Sequence, residues 1–183
     1  MIVGLFGISG SGKTYLNDKI KSYIPDLITT RASDLLKING GEIKLQNLNK
    51  DNITNNQELL SDSLSKLATS NKDKTIIIEL HNIIETLSGL SEINDDELDA
   101  LSLDAAIFID RETNLILSNR KNDKSKQRLD KSKKEIHILS KKSLHKFEEF
   151  FSERKIPFLI WNDENVYSII KFILDTKNTS RTS

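Results

Sequence analysis

The chain has 183 residues, 37% hydrophobic and 30% charged, with 27 basic and 27 acidic side chains and no cysteine. That length suits one domain able to bury roughly 70% of its unfolded surface. The missing thiols exclude disulfides, thiolate metal sites and cysteine nucleophiles, and no apolar run approaches the ~20 residues that span a bilayer. A cytoplasmic protein with no membrane partner is expected, and the apolar start, which lacks a basic leader, is not read as a signal peptide.

In chain order, M-I-V-G-L-F opens with a strand over Ile2–Phe6. G-I-S-G-S-G-K-T follows from Gly7 to Thr14, the P-loop spacing G-x-x-x-x-G-K-[ST] without a mismatch. The glycines let the backbone curl, so that Gly7, Ser9, Gly10, Ser11 and Gly12 turn their N–H groups toward phosphate oxygens. The helix beginning at Lys13 adds its positive end. Lys13 is expected to reach the outer phosphates, and Thr14 to place its hydroxyl on Mg²⁺. Leu16, Ile20, Tyr23 and Ile24 give that helix, Lys13–Ile24, one apolar face.

Further strands are expected at Leu27–Thr30, Thr75–Leu80, Ala105–Ile109 and Phe158–Trp161, with T-I-I-I-E-L and A-A-I-F-I reading as strands covered on both faces. Between them, helices are expected over Ser33–Ile38, Gln57–Ala68, Asp95–Leu101, Asn114–Asn119, about Ser132–Arg154 and Asn165–Leu174. Asn94 or Asp95 is placed to cap the acidic helix at Asp95–Leu101. The stretch from His81 to Asn94 reads as a loop, and the polar tail from about residue 176 to 183 as disordered. Five strands alternating with helices specify an α/β P-loop NTPase fold: a five-stranded, mostly parallel sheet with helices on both faces, as one domain over residues 1–183.

Many P-loop activities share that description. A GTPase is disfavoured by the lack of an N-K-x-D-type segment, and a motor ATPase by length, although Glu79 supplies the acidic residue such enzymes need at a strand end. Charge is segregated: Glu92, Asp95, Asp96, Glu97, Asp99 and Asp104 form an acidic block, while Arg120 to Lys146 holds eleven Lys or Arg against Asp123, Asp130 and Glu135. Such a run is either a solvated face or a surface for phosphates or nucleic acid.

At the third strand, I-I-I-E-L-H (Ile76 to His81) resembles the D-x-H strand ending of archaeal-type adenylate kinases and the related adenylate-kinase-like ATPases. N-D-D-E-L-D-A-L-S-L-D-A-A-I-F-I is similar to that family's short helix leading into the fourth strand. N-L-I-L-S-N-R-K-N-D-K-S-K-Q-R, Asn114 to Arg128, is similar to its lid stretch R-x-N-D-x-[ST]-[RK]-x-R. T-T-R-A-S-D-L-L-K, Thr29 to Lys37, resembles the G-D-x-L-R segment that grips the AMP phosphate, with Ser33 in place of Gly and Lys37 in place of Arg. The resemblance covers nearly the whole chain.

It implies phosphoryl transfer from Mg-ATP to a nucleoside monophosphate, AMP the leading candidate, with an acceptor-binding segment at about 31–69 and a lid at about 119–134. It assigns Arg120 and Arg128 to the lid as catalytic cations beside Lys13, with Arg120 also lying against the adenine or phosphates of ATP and Lys126 adding charge to the ATP site. Arg31, Ser33, Lys37 and His81 fall on the acceptor, and Glu79 joins Thr14 on the metal. Three scattered histidines make no zinc site, and His137 and His145 are expected to face solvent. Two alternatives stand beside this reading: a P-loop kinase for another small acceptor, and a nucleotide-gated weak ATPase acting with RNA or another macromolecular partner.

Overall fold

The computed structural model describes residues 1–123, 128–162 and 165–179. Five strands, β1 (Ile2–Phe6), β2 (Ile28–Arg31), β3 (Ile76–Glu79), β6 (Ala105–Ile109) and β7 (Phe158–Trp161), form one sheet in the order β2-β3-β1-β6-β7. Every neighbouring pair in it is parallel. Central β1 is buried along its whole length, as a strand covered on both faces must be.

Alternation along β1 divides the core in two. Ile2 and Phe6 point into one cluster with Ile78, Leu60, Leu64, Phe147 and Phe151, under helices α3 (Lys50–Thr69) and α6 (Lys133–Glu153). Val3 and Leu5 point into the other with Leu16, Ile20, Ile107, Ile169 and Ile173, under α1 (Lys13–Tyr23) and α7 (Tyr167–Thr179). The Phe6, Phe147 and Phe151 rings meet at centroid distances of 4.6 to 5.5 Å. Edge-on and tilted contacts of this kind suit the ring quadrupoles.

The chain differs from the sequence expectation in three places. The stretch after His81 is not a plain loop: β4 (Ile83–Thr86) and β5 (Gly89–Glu92) pair antiparallel as a hairpin separate from the main sheet. Helix α3 begins at Lys50, well before Gln57, because the Asn49 side chain accepts from Asn52 N and caps a first turn that carries little apolar signal. Helix α7 runs through Thr179, so residues 176–179 are not disordered tail; Thr176 is buried and donates to Phe172 O at 2.8 Å. Helices α2 (Ala32–Ile38), α4 (Asp95–Asp99) and α5 (Thr113–Asn122) complete the order, and Asn94 caps α4 with a reciprocal Glu97 contact.

The two charge blocks find each other. Lys142 pairs with Glu92, Lys146 with Asp95, and Arg154 with Asp95 and Asp99. The acidic block thus neutralises the far end of the basic one, on the α6 side of the sheet. His137 and His145 are exposed, as expected.

Candidate active site

Parallel pairing brings the chemistry to one edge of the sheet. Glu79 ends β3 and is in register with Leu5 of β1 on one side and Arg31 of β2 on the other. The loop that leaves β1 therefore curls beside the Glu79 carboxylate, in the crevice outside the carboxyl ends of the strands. Ser11 N donates to Ile8 O at 3.1 Å and closes the turn. Gly10 and Gly12 have φ of +90° and +95°, a region that L side chains enter only at a cost of ~1–2 kcal/mol. A Cβ on Gly10 would also lie 2.7 Å from Arg120 Cγ and 3.1 Å from Ile116 O.

Lys13 is buried, and its Nζ donates to Gly7 O at 2.6 Å and Ile8 O at 3.2 Å. Thr14 Oγ1 donates to Glu79 Oε2 at 3.1 Å, and Asn17 Nδ2 to Glu79 Oε1 at 3.0 Å. Ser11 Oγ and Asn17 Oδ1 are buried with no hydrogen-bond partner among the described residues. An orphaned hydroxyl inside a glycine loop, beside a buried ammonium, suits an anion that completes the set. Thr14 and Glu79 offer adjacent hard oxygens of the kind Mg²⁺ takes together with phosphate oxygens and water. Among the described residues no group of three or more His, Cys, Asp or Glu could hold a metal by itself.

Two cavities meet here. The first, about 700 Å³, is lined by Ser9 to Tyr15 and by Arg111, Asn119, Asp123 and Trp161 among others. The second, about 480 Å³, lies between α2, α3 and the β4–β5 hairpin and takes in Arg31, Ser33 and Lys37 over a floor rich in leucine and isoleucine. Ser9, Lys13, Glu79, His81 and Arg128 line both. All four residues expected on the acceptor side, His81 included, therefore line the second cavity.

The two arginines expected on a lid are placed differently from one another. Arg128 stands on the shared wall: Nε donates to Ser9 Oγ at 2.9 Å, Nη1 to Asp123 O at 2.8 Å, and Nη2 to the Asp123 carboxylate. The Arg120 side chain is only 7% exposed and does not line the first cavity. Its Nη1 and Nη2 form a fork on Glu85 of the hairpin at 2.7 and 3.0 Å, and they also reach Ser9 O at 3.4 Å and Leu129 O at 3.1 Å. The expectation that Arg120 faces ATP thus meets a guanidinium turned to a hairpin carboxylate. Lys126 lies outside the described residues.

Asp34 restrains two cations that line the second cavity, Arg31 and Lys37. Arg31 Nε and Nη2 donate to its two oxygens at 2.6 and 3.1 Å, and Lys37 Nζ stands 4.0 Å from it. The Asp34 hydrogen bond raises the Arg31 pKa above its ordinary value, partly offset by desolvation.

Several contributors escaped the sequence reading. Glu85 and Asn119 support the loop, Asn119 Nδ2 donating to Gly10 O at 2.9 Å. Arg111 lies over the Trp161 ring at 4.3 Å, so Trp161 is a cavity wall as well as a core residue. The available signal was position: Arg111 closely follows β6, as Glu79 ends β3, at the edge where a doubly wound sheet binds ligands.

A family model described as an AAA domain matches residues 6–137, and the chain belongs to that family. No curated protein matches the sequence. Shikimate kinase from Aquifex aeolicus superposes with a TM-score of 0.57 at 16% identity, covering 100% of this chain and 99% of that one. Shikimate kinase from Acinetobacter baumannii in complex with shikimate gives 0.59 at 15% identity, over 96% and 94%. Deoxyadenosine kinase from M. mycoides with bound dATP gives 0.52 at 15% identity, over 97% and 100%. At these identities the likeness is one of fold: a P-loop kinase fold with a five-stranded parallel sheet, and not the adenylate kinase family in particular.

Proposed function

We propose that this member of the AAA domain family is a cytoplasmic kinase that transfers the γ-phosphoryl group of Mg-ATP to a nucleoside monophosphate, with AMP the leading acceptor. One observation carries the reading: the phosphate loop's cavity and a second, largely apolar cavity share a wall made of Ser9, Lys13, Glu79, His81 and Arg128. Phosphoryl transfer needs two phosphates in line and cations on the moving charge. A common wall carrying Lys13 and Arg128 supplies both needs.

In this mechanism the loop N–H groups hold the β- and γ-phosphates, and Lys13 leaves Gly7 O and Ile8 O to follow the charge. Thr14 and Glu79 would hold Mg²⁺, which neutralises charge on the outer phosphates. Arg128, now on Ser9 and Asp123, is poised at the point of transfer. Arg31 and Lys37 orient the acceptor phosphate from α2. That phosphate is already anionic, so no protein base is required.

A second reading is favoured by Asp34, which occupies much of the Arg31 and Lys37 charge. An acceptor bearing a hydroxyl in place of a phosphate needs less cation and more base, and Glu79 stands on the shared wall to take the proton. The experiment for both is incubation with Mg-ATP and AMP, CMP, GMP, UMP or the corresponding nucleosides, with products separated by chromatography. Diphosphate formed from a monophosphate supports the first reading. Monophosphate formed from a nucleoside supports the second. ATP consumption that no small acceptor accelerates rejects both and favours a gated ATPase with a macromolecular partner.

A further inference from the structure

Among the described residues, the acceptor-side cavity holds a buried polar side chain that no intramolecular hydrogen bond engages. Gln57, on α3, is 8% exposed and lines this cavity. Its amide makes no hydrogen bond to another described residue. Its neighbour Asn56 is the internal contrast: Nδ2 donates to Glu42 O at 2.6 Å and Oδ1 accepts from Glu42 N at 3.0 Å, so that amide is spent on holding the chain after α2. Neither of its polar atoms is sealed from solvent as Ser11 Oγ and Asn17 Oδ1 are, so the amide stands open to the cavity, where a ligand can take the place of water.

Resting on the assignment of this cavity to the acceptor, we infer that Gln57 determines acceptor specificity by reading the hydrogen-bonding edge of a nucleobase. Leu36, Leu48, Leu60, Ile83 and Leu98, which line the same cavity, are apolar. A planar heterocycle buries two apolar faces against such walls and gathers its polar atoms along one edge. A primary amide presents a donor and an acceptor side by side, the complement of the donor and acceptor adjacent on a base edge. A polyol distributes hydroxyls on every side and would leave most of them unpaired against leucine. The cations Lys13, Arg31 and Arg128 line the same cavity, so a base read by Gln57 belongs to an acceptor whose other end meets positive charge.

The test is calorimetric binding of AMP, CMP, GMP, UMP, their nucleosides and ribose 5-phosphate to the full chain, beside the transfer assay. The wild-type chain should rank the bases and bind ribose 5-phosphate least. Gln57→Leu should weaken the best ligand by roughly ten- to a hundredfold and flatten the ranking, with ATP affinity unchanged. Gln57→Glu, assayed at about pH 8 where the carboxylate only accepts, should move preference toward guanine, whose N1–H and N2–H₂ are both donors. A gain for one base cannot come from misfolding. Ribose 5-phosphate binding as tightly as any mononucleotide, or a ranking that survives in Gln57→Leu, overturns the inference. Base-selective, Gln57-dependent binding without transfer keeps the inference and rejects the kinase reading. Transfer with a ranking indifferent to Gln57 does the reverse.

Discussion

Glu85→Gln tests what holds the phosphate loop. The Glu85 and Arg120 side chains are 14% and 7% exposed, and they meet as a fork at 2.7 and 3.0 Å. At an effective dielectric of about 20, the charges at that separation attract by about 6 kcal/mol, much of it offset by taking two ions out of water. Gln keeps the shape and one hydrogen bond but leaves a buried guanidinium without its counter-charge. Arg120 retains Leu129 O and a longer contact to Ser9 O, so the loss should fall below the 3–5 kcal/mol typical of a broken buried pair, at about 2–3 kcal/mol. For a chain of this size that is a fall in Tm of about 5–10 °C, or about 1 M in the urea midpoint. Denaturant unfolding followed by circular dichroism measures it. A change within about 0.5 kcal/mol would refute the argument, because it would mean that the pair is as wet as a surface salt bridge.

Lys13→Ala should lower turnover by about 10²–10³-fold, or ~3–4 kcal/mol of transition-state stabilisation, read as product formation under saturating Mg-ATP. Ser11→Ala removes a buried hydroxyl that has no partner; the unliganded protein should be as stable as wild type or up to about 1 kcal/mol more so, while the rise in Tm on adding ATP shrinks. Glu79→Gln should reduce monophosphate-dependent turnover severalfold, but abolish transfer if the acceptor is a hydroxyl, read as product formed from each acceptor class. Hydrogen bonding to Lys142 lowers the Glu92 pKa below its ordinary 4.5. Its stabilising contribution is therefore complete above about that pH and lost as pH falls through the depressed value, and Lys142→Ala should flatten the acid limb of the stability curve.

The sheet was legible because its strands are buried on both faces and read as continuous apolar runs, and the loop because its spacing is dictated by phosphate. The hairpin at Ile83–Glu92 was not legible: Leu87 and Leu90 are exposed, so the stretch carries no period-two burial signal, and only Ser88-Gly89 marks the turn. The start of α3 was hidden because its first turns are Lys, Asp and Asn, with Ile53 the lone apolar residue before Gln57. These two blind spots share a consequence. Glu85 comes from the hairpin and Asn56 from the unpredicted first turns of α3, so the sequence reading missed the residues that turn Arg120 inward and hold the chain walling the second cavity. Thr29 to Lys37 did point to that cavity. Asp34, which restrains Arg31 and Lys37, lies inside the same segment, but its effect depends on side-chain direction and not on spacing.

Glu79 is where the two acceptor readings part. Register fixes it between Leu5 and Arg31, and Thr14 and Asn17 each bond one of its oxygens, so the carboxylate is aimed before any ligand arrives. A nucleoside monophosphate brings its own anionic oxygen, and Glu79 then needs only to steady the metal through Thr14. A hydroxyl acceptor brings a proton that must leave as the new P–O bond forms. Of the five residues shared by the two cavities, Lys13 and Arg128 are cations and Ser9 is a weak base, which leaves Glu79 and His81 to receive it. The identity of the acceptor and the role of Glu79 are therefore one question, and on the proposed reading Arg31 and Lys37, which share the Asp34 carboxylate, bear on how it is answered.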